Sequence, residues 1–390
     1  MERLGLTRRE LLQRMAAVTL APPGEGDRWG DITRFLDDEH AAGTFPGASL
    51  IASKRGKVRI ERQVGTYCGL TRRDASLTSE VIHPFFSYSK LVSATVVVMA
   101  RADGLVEYDR PVRAYIPEFT GGGKEKITLR HLLTHSAGIP NAPFGPVHTG
   151  AAWSNALKTV CDLETEWEPG SKTLYHGLTG LFVAAEAVRR VAGGKRWEQL
   201  CHERLFEPIG ARSLTFGLPP EGAPVALTPQ PKELPKRLED AFGFLGHPAG
   251  GCFGTVADAL KVLHLHLNGG VWRRKRLIPA KALAEMHAVQ YRAEIEKARA
   301  AGTAPAHEPW GLGPLVRGDG PKTGSHDWFG FRDQPSAGVF GHAGIDTFIG
   351  VADPATGNAL IFVTTDSPKP PEKTVPLRNG VTNRVFTALG

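Results

Sequence analysis

The spacing of apolar residues changes period several times along the chain. Asp31 to Ala41 places Ile32, Phe35 and Leu36 on one side of a helix. Gly47 to Ala52 and Val58 to Val64 read as strands around Lys54-Arg55-Gly56-Lys57, a hairpin turn. Leu91 to Ala100 is an apolar helical stretch. From about 104 to 250, short helical stretches alternate with loops rich in Pro and Gly. Among them, Ile127 to Leu133 begins like a helix, Gly180 to Val191 is a long apolar helix closed by Gly193-Gly194, and Trp197 to Leu205 is another. Thr255 to Leu267 predicts a helix with apolar Ala257, Leu260, Val262 and Leu263, and Tyr291 to Ala301 a charged helical insertion on the surface. Strand character returns at Trp310 to Val316, Ala337 to Gly341, Thr347 to Ala352 and Ala359 to Thr364, and Val381 to Leu389 predicts a final helix.

The order helix, strands, helical insert, strands, helix predicts an α+β fold. An antiparallel sheet is built from both chain ends and flanked by helices, with a mainly helical domain inserted. The expected boundaries are an N-terminal extension over 1–25, a discontinuous sheet domain over 26–103 and 255–390, and a helical domain over 104–254. The active site is expected between the two domains.

Composition narrows the class. Of the 390 residues 41% are hydrophobic and 22% charged, ordinary for a globular protein with a sizeable core. No apolar run approaches the roughly eighteen residues that cross a bilayer. The formal charge of +7 is scattered. Its one dense run, Arg273-Arg274-Lys275-Arg276, sits between Gly269-Gly270 and Leu277-Ile278 as a solvated turn, without the further clusters and interleaved aromatics of a nucleic-acid surface. Cys68, Cys161, Cys201 and Cys252 lie far apart with no metal spacing and read as free thiols. His264 and His266, at i and i+2 of a helix, point apart and do not make a metal pair. There is no phosphate loop or dinucleotide fingerprint, so no cofactor is expected. Thr7-Arg8-Arg9-Glu10-Leu11-Leu12 resembles a twin-arginine export signal, but the apolar run from Ala16 to Ala21 is short. The reading is a cytoplasmic protein with an amphipathic extension, export being the alternative.

Candidate chemistry begins at Ser87-Tyr88-Ser89-Lys90, at the start of the apolar helical stretch. A serine hydroxyl needs a base to become a nucleophile. Residues at i and i+3 share one helix face, so Lys90 is presented to the Ser87 hydroxyl. Desolvation lowers a lysine's pKa and lets it serve as that base. A helix N-terminus also suits a developing oxyanion.

Further segments carry a resemblance over nearly the whole chain from about residue 30. Ile127-Thr128-Leu129-Arg130-His131-Leu132-Leu133-Thr134-His135-Ser136-Ala137-Gly138-Ile139-Pro140 resembles an "LLTHTSGLP" loop. Trp167-Glu168-Pro169-Gly170 and Tyr175-His176-Gly177 fall at "PG" and "YSN". Leu205-Phe206-Glu207-Pro208-Ile209-Gly210 resembles "LFxPLGM", and Ala249-Gly250-Gly251 with Thr255-Val256-Ala257-Asp258 resembles "AGGLxSTAxD". Gly341-His342-Ala343-Gly344 resembles "GHxG", with Asp353-Pro354 after the next strand. The chain thus resembles the class C β-lactamase and DD-peptidase superfamily, and most of all its esterase and acyltransferase branch. The resemblance implies a β-lactamase/DD-peptidase-like fold. It implies Ser87 as acylated nucleophile, Lys90 as its base, and Tyr175 as second base and acid with phenolate character raised by Lys90. The backbone N–H groups of Ser87 and Ile345 would form the oxyanion hole.

Two departures from the family pattern shape the expected substrate. Gly177 stands where the β-lactamases carry an amide side chain. His342-Ala343-Gly344 stands where they carry Lys-Thr-Gly, which removes a cation and a hydroxyl that bind a substrate carboxylate. Lys322-Thr323-Gly324 spells that motif but lies in a loop context after Gly318-Asp319-Gly320-Pro321 and is read as a decoy. Thr134-His135-Ser136-Ala137-Gly138 lacks the first glycine and the strand of a Gly-x-Ser-x-Gly elbow. Expected substrate-binding residues are Tyr88, Gly177, Trp328, Phe329, His342, Ala343 and Gly344, the aromatics from the segment Gly318 to Ser336. The expected activity is carboxylic ester hydrolysis on a small-molecule acyl ester or thioester. Acyl transfer to an alcohol is the second reading, D-amino-acid peptidase or amidase the third and β-lactamase the fourth. A catalytically dead binding protein is disfavoured by the joint presence of Ser87, Lys90 and Tyr175.

Overall fold

The computed structural model describes residues 28–319, 324–331, 333–334, 336–345 and 347–390. The extension over 1–25, with its twin-arginine-like segment, and Lys322-Thr323 of the decoy motif lie outside the described residues.

A seven-stranded antiparallel sheet organises the molecule. Its strands are β1 (Gly47–Lys54), β2 (Lys57–Tyr67), β3 (Ala75–Ser76), β4 (Leu315–Val316), β5 (Phe340–Gly344), β6 (Phe348–Asp353) and β7 (Asn358–Thr364), in the order β3-β2-β1-β7-β6-β5-β4. The first long strand therefore pairs with the last, with Ala48 opposite Thr364 and Lys54 opposite Asn358. The principal helices are α1 (Gly30–Ala41), α2 (Ser89–Ala102), α3 (Gly150–Cys161), α4 (Thr179–Val191), α5 (Val256–Leu267) and α6 (Thr374–Leu389).

Both faces of the sheet are covered, and strand alternation explains how. Leu50, Ala52, Ile349, Val351, Leu360 and Phe362 point to a core shared with Ile32 and Leu36 of α1 and Leu377, Val381 and Val385 of α6. Ile51, Phe348, Ile361 and Val363 point the other way, into the larger core that holds α2, α4 and α5. Every residue of α2 from Ser89 to Ala100 is buried, because the helix runs between the sheet face and the helical segment. Thr255 caps α5 by accepting the Asp258 N–H at 3.2 Å.

Several boundaries differ from expectation. The strand expected over Trp310 to Val316 shrinks to Leu315–Val316, because Gly311, Gly313 (φ 110°) and Pro314 turn the chain and leave Trp310 and Leu315 as an isolated bridge. The strand expected over Ala337 to Gly341 begins three residues later and runs through Gly344, so His342-Ala343-Gly344 lies within the sheet. The final helix starts at Thr374, seven residues earlier than its apolar spacing indicated. The basic run from Arg273 turns a small hairpin, Val271–Trp272 against Lys275–Arg276. His264 and His266 meet separate partners, Ser53 at 2.7 Å and Thr95 at 2.9 Å. All four cysteines are free thiols. Among the described residues no helix is long and apolar enough to cross a membrane.

Candidate active site

Ser87 lies in a 3-10 turn, Phe86–Tyr88, that leads into α2. The turn is tied to the segment 248–252: the Phe85 N–H donates to Cys252 O at 2.9 Å, the Cys252 N–H to Ser89 Oγ at 3.0 Å, and Ser93 Oγ to Pro248 O at 2.6 Å. Lys90, one helical turn after the serine, has no exposed surface. Its Nζ is 2.8 Å from Ser87 Oγ, 3.0 Å from Ala249 O and 5.1 Å from the centre of the Tyr175 ring. Burial pushes its pKa well below the usual lysine value, so the amine is biased towards its neutral form.

Tyr175 lines the cavity, 36% exposed, and hydrogen-bonds with Ser87. Desolvation raises the phenol's pKa, and a hydrogen bond with Ser87 offsets only part of that rise. Desolvation thus works against the expected phenolate character. The buried lysine is biased towards its neutral form and has correspondingly less charge with which to stabilise a phenolate.

Ser87, Tyr175, Trp310, Trp328, Phe329, Ala343 and Ile345 line a cavity of about 500 Å³. None carries a formal charge. Trp310 stacks on Tyr175 with ring centres 5.7 Å apart and planes 12° apart. The expected set omitted Trp310, whose apolar spacing reads as part of a strand.

The other expected binding residues sit elsewhere. Tyr88 is corrected: it is fully buried, packs against Phe85 and Phe348, and donates its hydroxyl to Ala259 O at 3.4 Å. One residue along the turn from Ser87, its side chain faces the core. His342 is buried behind the wall, its ring 4.8 Å from Phe329 and 6.0 Å from Tyr175, with Nδ1 2.7 Å from Ala343 O. A carbonyl only accepts, so Nδ1 carries the proton, and burial holds the imidazole neutral. Gly344 is a close-approach position, where a Cβ would collide with the carbonyl oxygen of Phe85, two residues before Ser87. Gly177 faces the Asn141 amide, whose Oδ1 accepts the Leu178 N–H at 3.0 Å.

Three non-glycine residues around the cavity adopt positive φ: Phe86 at 47°, His135 at 56° and Ile345 at 34°. Such strain costs on the order of 1–3 kcal/mol each and concentrates at working sites. Phe86 precedes Ser87. His135 O accepts the Leu174 N–H at 3.0 Å, and its ring lies 4.8 Å from that of Tyr175, so it helps seat the tyrosine. Among the described residues the N–H groups of Ser87 and Ile345 donate to no protein acceptor.

Residues 32–380 match the Beta-lactamase family. The chain belongs to the beta-lactamase family. Within it, the chain is 30% identical over 301 residues to Esterase/beta-lactamase LipL of Mycobacterium tuberculosis, covering 71% of this chain and 68% of LipL. A family VIII carboxylesterase structure superposes with a TM-score of 0.71 at 23% identity, covering 93% of this chain and 97% of the other. Simvastatin synthase LovD of Aspergillus terreus gives 0.68 at 19% identity, with 100% of both chains covered. The β-lactamase fold, with its antiparallel sheet built from both chain ends, is thus established for this family member.

Proposed function

We propose that this family member is a serine esterase that cleaves neutral carboxylic esters through an acyl-enzyme on Ser87. The observation that carries the reading is a buried, neutral-biased Lys90 amine 2.8 Å from the Ser87 hydroxyl, at the floor of an aromatic cavity whose described lining residues carry no formal charge. A neutral amine has one lone pair and two protons. Ala249 O takes one N–H, which leaves the lone pair free to face Ser87.

In acylation, Ser87 Oγ forms a bond to the ester carbonyl carbon while its proton passes to Lys90 Nζ. The carbonyl π electrons move to oxygen, and the resulting oxyanion receives the unpaired N–H groups of Ser87 and Ile345, worth several kcal/mol of barrier. Collapse breaks the bond to the alcohol oxygen. That oxygen takes the Tyr175 proton, and the Lys90 ammonium reprotonates the tyrosine. Water repeats the sequence on the acyl-enzyme.

Neutral substrates are favoured because, among the described residues, the cavity wall offers no cation for a carboxylate. Gly177 has no side chain, and His342 is buried and neutral. Acyl transfer to an alcohol is the second reading, supported by a cavity of about 500 Å³ with apolar walls, which has room for an acyl group and an acceptor alcohol together.

The test is hydrolysis of p-nitrophenyl butyrate combined with intact-protein mass spectrometry. Ser87→Ala is expected to abolish both turnover and the acyl adduct. Full activity in that variant would sink the mechanism, and appreciable turnover of a chromogenic cephalosporin would overturn the neutral-ester assignment.

A further inference from the structure

Behind the cavity, a single buried side chain of α6 holds two of its walls. Arg378 is 1% exposed. Its Nη1 donates to Trp328 O at 2.9 Å, and its guanidinium lies 4.8 Å from the centre of the Trp328 ring. Its Nη2 donates to Ile345 O, to Gly344 O at 3.3 Å and to Phe348 O at 3.5 Å. Trp328 and Ile345, by contrast, are 39% and 43% exposed at the cavity. The next residue of α6 repeats the tie, Asn379 Nδ2 donating to Asp327 O at 3.0 Å. One planar fork thus fixes both the aromatic wall and the strained turn that carries the Ile345 N–H. A guanidinium fork is rigid, so displacement of one set of acceptors moves it relative to the other.

We propose that Arg378 is a positioning residue that couples filling of the Trp328 wall to the geometry of the Ile345 turn, so that esters of bulky apolar acyl groups are turned over faster than acetates. The proposal rests on the esterase reading above. An acyl chain packed against Trp328 holds the ring on the guanidinium, which in turn holds the Ile345 carbonyl and aims its N–H at the oxyanion. An acetyl group does not reach the wall and receives no such support. The binding energy of the remote chain is then expressed in kcat rather than only in KM.

The experiment compares p-nitrophenyl hexanoate with p-nitrophenyl acetate in the wild type, Trp328→Ala, Arg378→Lys and the double variant, with circular dichroism as the check of folding. The wild type is expected to favour hexanoate by about tenfold or more in kcat/KM. Trp328→Ala and Arg378→Lys each bring that ratio down, with the loss in kcat, and the double variant falls no further than the singles. A merely structural arginine would slow both esters equally and leave the ratio at its wild-type value, which would overturn the proposal. So would additive effects in the double variant. If Arg378→Lys does not fold, Trp328→Ala alone decides: a change in KM with kcat intact overturns the coupling. Hydrolysis that survives Ser87→Ala refutes the esterase reading itself, whereas Ser87-dependent hydrolysis with no acyl-length preference refutes only this inference.

Discussion

Replacing Lys90 by methionine tests the central electrostatic claim without recourse to a substrate. Lys90 has no exposed surface and is held well below the ordinary lysine value of 10.5 by burial. The unfolded chain therefore binds a proton at this position that the folded chain does not. Stability rises with pH wherever the unfolded state holds more protons. The stabilising balance is thus fully present above about 10.5 and is lost progressively as pH falls towards the depressed folded-state value. Within that window the wild type gains about 1.4 kcal/mol per pH unit from this one group, and Lys90→Met gains nothing from it. Methionine also forfeits the contacts at 2.8 Å to Ser87 Oγ and 3.0 Å to Ala249 O, each worth about 1 kcal/mol. That loss shifts the variant's stability by a constant and leaves the slope alone. Urea unfolding of both proteins at pH 7, 8 and 9 is expected to show a stability difference that moves in favour of the wild type as pH rises, by up to about 1.4 kcal/mol per unit. His135, His247 and His342, whose titration Lys90 influences, are held below the usual histidine range chiefly by their own burial and so contribute little to the difference at these pH values. Parallel stability–pH curves would mean that Lys90 is protonated in the folded protein, and the base assignment would fall with them.

Two further perturbations probe what surrounds the site. A methyl group at Gly350 of β6 would overlap the Tyr88 ring, which packs against Phe85 and Phe348 next to Ser87. Gly350→Ala is expected to cost about 1–3 kcal/mol in urea unfolding, and wild-type stability would show that Tyr88 is free to move. Buried Glu186 accepts from Trp153 Nε1 at 2.8 Å, Arg189 Nη1 at 2.5 Å and Arg190 Nε at 2.8 Å. Because both arginines keep partial access to water, Glu186→Leu is expected to cost about 2–3 kcal/mol, less than the break-up of a fully buried pair. A loss under 1 kcal/mol by the same assay would refute that role.

Much of this arrangement was legible in the residue order, and the exceptions have physical causes. Ser87 and Lys90 were readable because helical geometry alone brings i and i+3 together. Trp328, Phe329 and Ala343 were readable as aromatic or strand positions near the expected pocket. Tyr88 was not, because adjacency in sequence says nothing about direction: one step along a helical turn rotates the side chain by about 100°. Arg378 escaped because the carbonyl oxygens of Trp328, Gly344, Ile345 and Phe348 that it holds are backbone acceptors, which leave no side-chain signature. Trp310 was taken for a strand residue because an apolar run bounded by glycines has the same spacing whether it pairs or turns. The phenolate expected at Tyr175 meets an obstacle of another kind. A sequence gives a lysine its formal charge, and burial, which the sequence does not show, works against that charge.

The pairing of β1 with β7 has a consequence for how the molecule comes into being. Ala48 and Thr364 stand opposite each other although about 300 residues separate them along the chain. While the chain is being synthesised, β1 and its hairpin partner β2 wait with one edge unpaired until β7 emerges. Closing so long a loop is slow, and an open strand edge invites pairing with another chain. Production of this protein is therefore most exposed to aggregation before β7 (Asn358–Thr364) is made. A truncation before Asn358 would leave β1 and β6 as two bare edges in place of one shared neighbour.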